Sequence, residues 1–410
     1  MKSDIHNLVS YIDPGSGGIL LYVITGFLIG SWYSIKKFFI KALHIFPYLK
    51  NYKANSQELA ADIILHVEGP QYEAIFYPIA KELSQKGCSV LYVTQYARDE
   101  KFPKLPDNID HQEILPGWSG FVALNRAEAK IMVTTTPQLD VYMFKRSPKV
   151  NHYINILHAP TDTGTLEMYA LDFFNTVFCP GEFMFKEIRH LEKLRNLPAK
   201  NLKATGVAYY DTFKKNQSQF KSEPSKKKPT LLIAPSWGRN CLFNNIPIDF
   251  VDKLKSEFDI IIRPHPQTKV SQEQLYAKIQ KYCNENNIEL DEASDPSKSM
   301  TLSDIMLSDF SGIVYDYAFL YEKPQVVCNM NIIREGFEGY YLDKPLWREK
   351  ILPEIATVIN IDEIEKLPDA IKLAYESPKK EIAKLRDKYI ANFANATPIM
   401  ACEIVKILAA

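Results

Sequence analysis

The chain has 410 residues, enough for two domains, and 46% of them are hydrophobic, ample for large cores. Lys+Arg 49 stand against Asp+Glu 49 with no basic face interleaved with aromatics, so the sequence predicts no nucleic-acid partner. Six scattered cysteines without a C-x-x-C exclude zinc-ribbon and thioredoxin-type chemistry, and several of them, in apolar runs, read as small core residues in a reducing compartment.

Gly15 to Ile35 carries no charge and is largely apolar. At about 1.5 Å rise per residue such a helix is just long enough to cross a hydrocarbon core. Trp32 and Tyr33 stand where interfacial anchors belong, and Lys36, Lys37 and Lys41 follow. Positive charge on that side places the rest of the chain at the cytoplasmic face of the membrane. A cleaved signal would carry its charge before the apolar run. Gly17, Gly18, Gly26 and Gly30 weaken a helix in water, so a segment lying on the membrane or a buried hairpin is the competing reading. Phe38 to Leu59 is amphipathic and lysine-bearing. Residues 1–59 are therefore expected to form a membrane anchor and connector.

From residue 60 to 213 strand-like and helix-like runs alternate. Asp62–Val67, Ser89–Thr94, Ala129–Thr135, Tyr153–Leu157 and Thr176–Cys179 read as strands. Tyr72–Gln85, ended by Gly87, and Gly181–Leu194 read as helices, and a short strand precedes Thr205-Gly206. This alternation predicts a parallel sheet wrapped by helices. His66 sits within a strand and reads as a hydrogen-bonded core histidine. His158 instead follows a strand and opens the polar loop Ala159-Pro160-Thr161-Asp162-Thr163-Gly164, where a functional histidine is expected.

Residues 214–229, polar and rich in lysine, read as a linker. Residues 230–410 repeat the alternation, with strands at Leu231–Ala234, Ile260–Arg263, Ile305–Leu307 and Gln325–Cys328. Helices are expected at Asp249–Glu257, Gln272–Asn284 and Ser311–Tyr321, and past Asp362, where one helix is placed to return to the first domain. Three strands end in polar turns: Ala234-Pro235-Ser236-Trp237-Gly238-Arg239, Arg263-Pro264-His265-Pro266 and Ser308-Asp309-Phe310-Ser311-Gly312. Open α/β sheets bind ligands at that edge. The last turn opens a helix, whose first N–H groups lack intrahelical partners and suit a phosphate. The fold class expected is α/β, two Rossmann-like domains facing each other.

Arg263-Pro264-His265-Pro266, Ser308-Asp309-Phe310-Ser311, Asp316-Tyr317 and Lys323-Pro324, in this order and spacing, resemble the CDP-glycerol glycerophosphotransferase family of teichoic-acid polymerases and primases. The resemblance covers roughly Asp62 to Tyr340. It implies a GT-B architecture and transfer of a polyol phosphate from a CDP-polyol donor to a glycan or lipid-linked acceptor. It places a catalytic histidine at His158, though Ala159 replaces the family's glycine there and no lysine lies nearby. Thr205, Gly206 and Asp211 survive from a further family pattern whose proline and arginine are absent.

On this reading His158 and His265 are the catalytic residues, His158 as the base and His265 nearer the phosphates. The donor would lie against Ser236, Arg239, Arg263, Ser308, Asp309, Ser311, Gly312, Asp316 and Lys323. No carboxylate pair has divalent-ion spacing, so no metal and no cofactor are expected. A nucleotide-sugar glycosyltransferase and a non-catalytic, membrane-tethered relative are the alternatives, since fold does not fix substrate.

Overall fold

A computed structural model describes residues 58–142, 144–220, 228–293, 295–330 and 334–410. The expected anchor and its connector up to Gln57 lie outside the described residues, as does most of the linker. Among the described residues no helix is long and apolar enough to cross a membrane.

Glu58–Ala410 forms one compact unit built on two all-parallel sheets. The first has seven strands: β1 Ala60–Val67, β2 Val90–Thr94, β3 Ile109–Glu113, β4 Glu128–Thr134, β5 Val150–Ile156, β6 Thr176–Cys179 and β7 Asn201–Ala204. The second has six: β8 Thr230–Ala234, β9 Asp259–Ile262, β10 Glu289–Leu290, β11 Ile305–Ser308, β12 Gln325–Asn329 and β13 Thr357–Asn360. Their spatial orders are β3-β2-β1-β4-β5-β6-β7 and β10-β9-β8-β11-β12-β13. Both are doubly wound, with the order reversing between β1 and β4 and between β8 and β11. The α/β reading with two Rossmann-like halves is therefore what the chain adopts.

Period-two alternation explains why the strands read as unbroken apolar runs. In β1, Ile63, Leu65 and Val67 enter one core while Ile64 enters the core on the opposite face. In β8, Leu232 and Ala234 join the first of these cores and Leu231 and Ile233 a third. Helices cover both faces of each sheet, so the central strands β1 and β8 are apolar on both faces.

The halves differ from the expected segmentation at the linker. Lys214 and Lys215, placed in the linker, belong to the helix Ala208–Asn216. Beyond it Asn216 donates to Asp295 at 2.8 Å and Gln217 to the Leu320 carbonyl at 2.9 Å, fastening the chain to the second half. The last helix, Ala396–Ala409, returns to the first half as expected. Its opening amides, Ala396 and Thr397, donate to the Asp211 carboxylate at 3.0 and 2.8 Å. That supplies the acceptors a helix start lacks.

The segment expected to be the helix Asp249–Glu257 is a tighter 3-10 turn at Ile248–Lys253. Ile248, Val251 and Leu254 recur every three residues and all pack on the core, which is the 3-10 period. The expected helix from Ser311 starts at Ile313 and widens into a π-helical turn over Tyr317–Tyr321.

Candidate functional site

The site grows from the second sheet's reversal point, where β8 and β11 end side by side. The Ser308 hydroxyl donates to the Ala234 carbonyl at 2.6 Å and ties the two strand ends together. Asp309, fully buried, accepts from the Ser236 amide at 2.9 Å on one oxygen and from the Leu242 amide at 2.8 Å on the other. Burial pushes its carboxyl up to about 6, against the pull of these N–H groups. Ser308 and Asp309 thus shape the loop that carries Ser236 and Arg239. Ser236 is buried within that loop, and Arg239 is exposed on it.

Beside this turn lies a cleft of about 510 Å³. Asp309, Phe310 and Ser311 line one side and the end of β12 another. Gly312 follows at the start of the helix Ile313–Asp316, and a side-chain carbon there would meet open space. The remaining wall carries two cations, Arg334 and Arg348. Arg334 pairs with Glu349, and the Arg348 amide donates to Asp162 of the first half at 2.8 Å. Sequence reasoning missed both arginines, because the stretch from Asn331 to Asn360 has no strong periodicity. The available signal was position: both follow the carboxyl end of β12, the edge where such sheets hold ligands.

His265 and Arg263 lie on the neighbouring turn after β9. Arg263 is buried; it donates to Asp291 at 2.7 Å and to the Ala293 carbonyl at 2.7 Å. Burial would raise the Asp291 carboxyl, but Arg263 and nearby donors hold it below its ordinary value. His265 caps the helix Pro266–Ser271, its Nδ1 accepting from the Gln267 amide at 3.1 Å. Burial, helped by the Arg263 charge, lowers its pKa to about 4, so the ring is neutral near pH 7. The Trp237 ring, 45% exposed, stands 6.2 Å from it.

Two expected donor ligands point elsewhere. The Asp316 carboxylate accepts hydroxyls from Tyr209 at 2.6 Å and Tyr210 at 3.0 Å, so it joins the two halves. Lys323 precedes β12, at the opposite edge of the sheet from Ser308, and donates to the carbonyls of Met300, Thr301 and Ser303 at 3.0, 2.6 and 2.6 Å. Its ammonium neutralises the C-terminal end of the helix Ser297–Leu302, where a cation is favourable. Both assignments are corrected accordingly: Asp316 and Lys323 hold the fold.

His158 stands on the first half, past the end of β5. Its side chain is open to solvent, yet protein surrounds it closely, and that desolvation lowers its pKa from the ordinary value. The Tyr72 ring meets it edge-on with centroids 5.3 Å apart. Four residues later Asp162 holds Arg348, so the histidine's loop is bonded directly to the wall of the cleft. His66 is the core histidine its strand position implied: fully buried, with Nδ1 2.9 Å from the Thr134 hydroxyl.

Comparison with known proteins agrees with the fold. The fold is shared with the wall teichoic acid polymerase TagF at a TM-score of 0.55 and 12% identity, over 85% of this chain and 88% of that one. It is shared equally with UDP-N-acetylglucosamine 2-epimerase from Rickettsia bellii, at 0.54 and 14% identity over 86% and 96%. The enzyme of that name from Neisseria meningitidis, bound to UDP-GlcNAc, gives 0.50 and 14% over 86% and 100%. No curated protein sequence matches the chain. Residues 182–390, just over half of the chain, match the family described as CDP-Glycerol:Poly(glycerophosphate) glycerophosphotransferase. The chain belongs to that transferase family.

Proposed function

We propose that this glycerophosphotransferase moves a glycerol phosphate, or a related polyol phosphate, from a CDP-activated donor to a hydroxyl of a cell-surface glycan or lipid-linked acceptor. The observation that carries the reading is the cleft at the β8/β11 reversal point, walled by Arg334 and Arg348, in a chain of this family. The donor diphosphate sits in that cleft against the Ser311–Gly312 turn. The acceptor oxygen forms a new bond to the phosphorus that carries glycerol. The bond from that phosphorus to the CMP oxygen breaks, and CMP leaves with the electron pair. His158 takes the hydroxyl proton, a task suited to a histidine that is neutral near pH 7. Fixed cations and amides stabilise the charge that develops on the leaving phosphate without reorganising.

Residues 1–59 hold the enzyme at the cytoplasmic face of the membrane on this reading, where a lipid-linked acceptor is met. The support is the uncharged run Gly15–Ile35 and its lysine flank. Cell fractionation of a chain lacking residues 1–57 should recover folded protein in the soluble fraction. Recovery in the membrane pellet would overturn this part.

The direct test is to incubate the full chain with CDP-polyols and, separately, UDP-sugars, and to follow the nucleotide released. CMP release from a CDP-polyol, with none of UDP from the sugars, is expected. Turnover of a UDP-sugar instead would establish the glycosyltransferase reading.

A further inference from the structure

We propose that Arg334 and Arg348 form a two-arginine clamp that grips the diphosphate of the nucleotide donor; this rests on the donor reading given above for the same cleft. Both side chains line that cleft. Each is held on one side only. Arg334 pairs with Glu349 through Nη2, while its Nη1 is buried and has no hydrogen-bond partner among the described residues. Arg348 is fixed through its main chain to Asp162, but its Nε stands 3.9 Å from that carboxylate, beyond hydrogen-bond reach, and is likewise buried without a partner.

Buried donors without acceptors are rare and carry a free-energy penalty. Here two of them belong to cations on one wall of one cleft. A small turn of each guanidinium offers these N–H groups to an anion in the cleft, relieving the penalty as the ligand enters. Guanidinium matches phosphate by its planar fork, which an ammonium does not reproduce. Two arginines suit two linked phosphates.

The supports are rigid. Glu349 accepts from the Leu346 amide at 2.9 Å, closing the start of the helix Trp347–Ile355, while its other oxygen holds Arg334. Trp347 stacks on Phe183 of the first half with ring centroids 4.1 Å apart. The helix that presents Arg348 is therefore pinned from the first half at two adjacent residues. The backbone that carries Arg348 is thus in place before the donor arrives, and only the guanidinium has to turn to meet the diphosphate.

The experiment is calorimetric titration of the full chain with CDP, inorganic pyrophosphate and cytidine, for the parent, Arg334→Gln, Arg348→Gln and Arg348→Lys. Loss of a charge-assisted bond should weaken CDP and pyrophosphate at least about tenfold in each variant, with cytidine unchanged. Arg348→Lys keeps the stem and charge, so it remains a fair test if Arg348→Gln unfolds. Unchanged CDP and pyrophosphate affinity in folded variants overturns the clamp, as does a parent that binds neither probe. A parent that binds both through these arginines, yet releases no CMP from any CDP-polyol, leaves the clamp standing and removes the donor reading.

Discussion

Tyr209 donates its hydroxyl to Asp316 at 2.6 Å, and this bond, with the one from Tyr210 to the same oxygen, ties the first half of the molecule to the second. Enclosure between the halves raises the Asp316 carboxyl from 3.8 to about 6, despite both hydroxyls. The folded state thus holds this proton more tightly than the unfolded chain. The stability it contributes is complete below the unfolded value of 3.8 and is lost as pH rises toward about 6. Asp316→Asn stays neutral throughout and keeps Oδ1 for both hydroxyls. Denaturant unfolding between pH 4 and 8 should show the parent losing stability relative to Asp316→Asn across that window, then running parallel. Parallel curves throughout would mean the carboxyl does not titrate there.

Asp309 has a similarly raised carboxyl, at about 6, but the opposite response to amidation is expected. Its two oxygens accept from two different amides, Ser236 and Leu242. In Asp309→Asn one acceptor becomes an NH2 group facing an N–H. The stranded amide should cost about 1–3 kcal/mol in unfolding free energy. Because the displaced loop carries Ser236 and Arg239, donor KM should rise as well. Stability equal to the parent's, measured by chemical denaturation, would refute the two-amide role.

These two carboxylates show how much the sequence could reveal. Asp309 and Asp316 were both placed among the donor ligands from their motif, and only coordinates separate a residue that shapes a loop from one that bridges two halves. Central strands such as β1 and β8 were legible because both faces are buried, giving unbroken apolar runs. The edge strands β3, with its Asp110, His111 and Gln112, and β10 and β13 were not, since half-exposed edges mix polar residues into the run. Beyond their position after β12, nothing in the sequence pointed to Arg334 and Arg348. Their proximity to Ser311 comes from the β11/β12 pairing and from Asp162, 186 residues away from Arg348 in sequence.

His265 is expected to matter through its cap. With its pKa lowered from 6.5 to about 4, first by burial and then by Arg263, the neutral ring accepts the Gln267 amide. That contribution is full above pH 6.5 and is lost as pH falls toward 4, because the folded state resists taking the proton. His265→Ala should cost about 1 kcal/mol, the usual loss for a helix cap, and His265→Asn should restore most of it. A rate defect in His265→Ala that His265→Asn does not repair would assign the ring to chemistry instead.

His158 is expected to set the acid limb of the rate. As the base it must be unprotonated to accept the acceptor's proton, and the protein packed round it favours that form by lowering its pKa below 6.5. The parent's kcat should therefore climb with pH to a midpoint below 6.5 and be flat at neutral pH. Asp309 and Asp316 also titrate at about 6, so the limb alone does not name its owner. The assignment comes from variants. His158→Ala should lower kcat by about 10²–10⁴ and abolish the limb while leaving CDP affinity intact, whereas Asp316→Asn should keep it. A His158→Ala enzyme that retains both its rate and its acid limb would place the base elsewhere in the cleft.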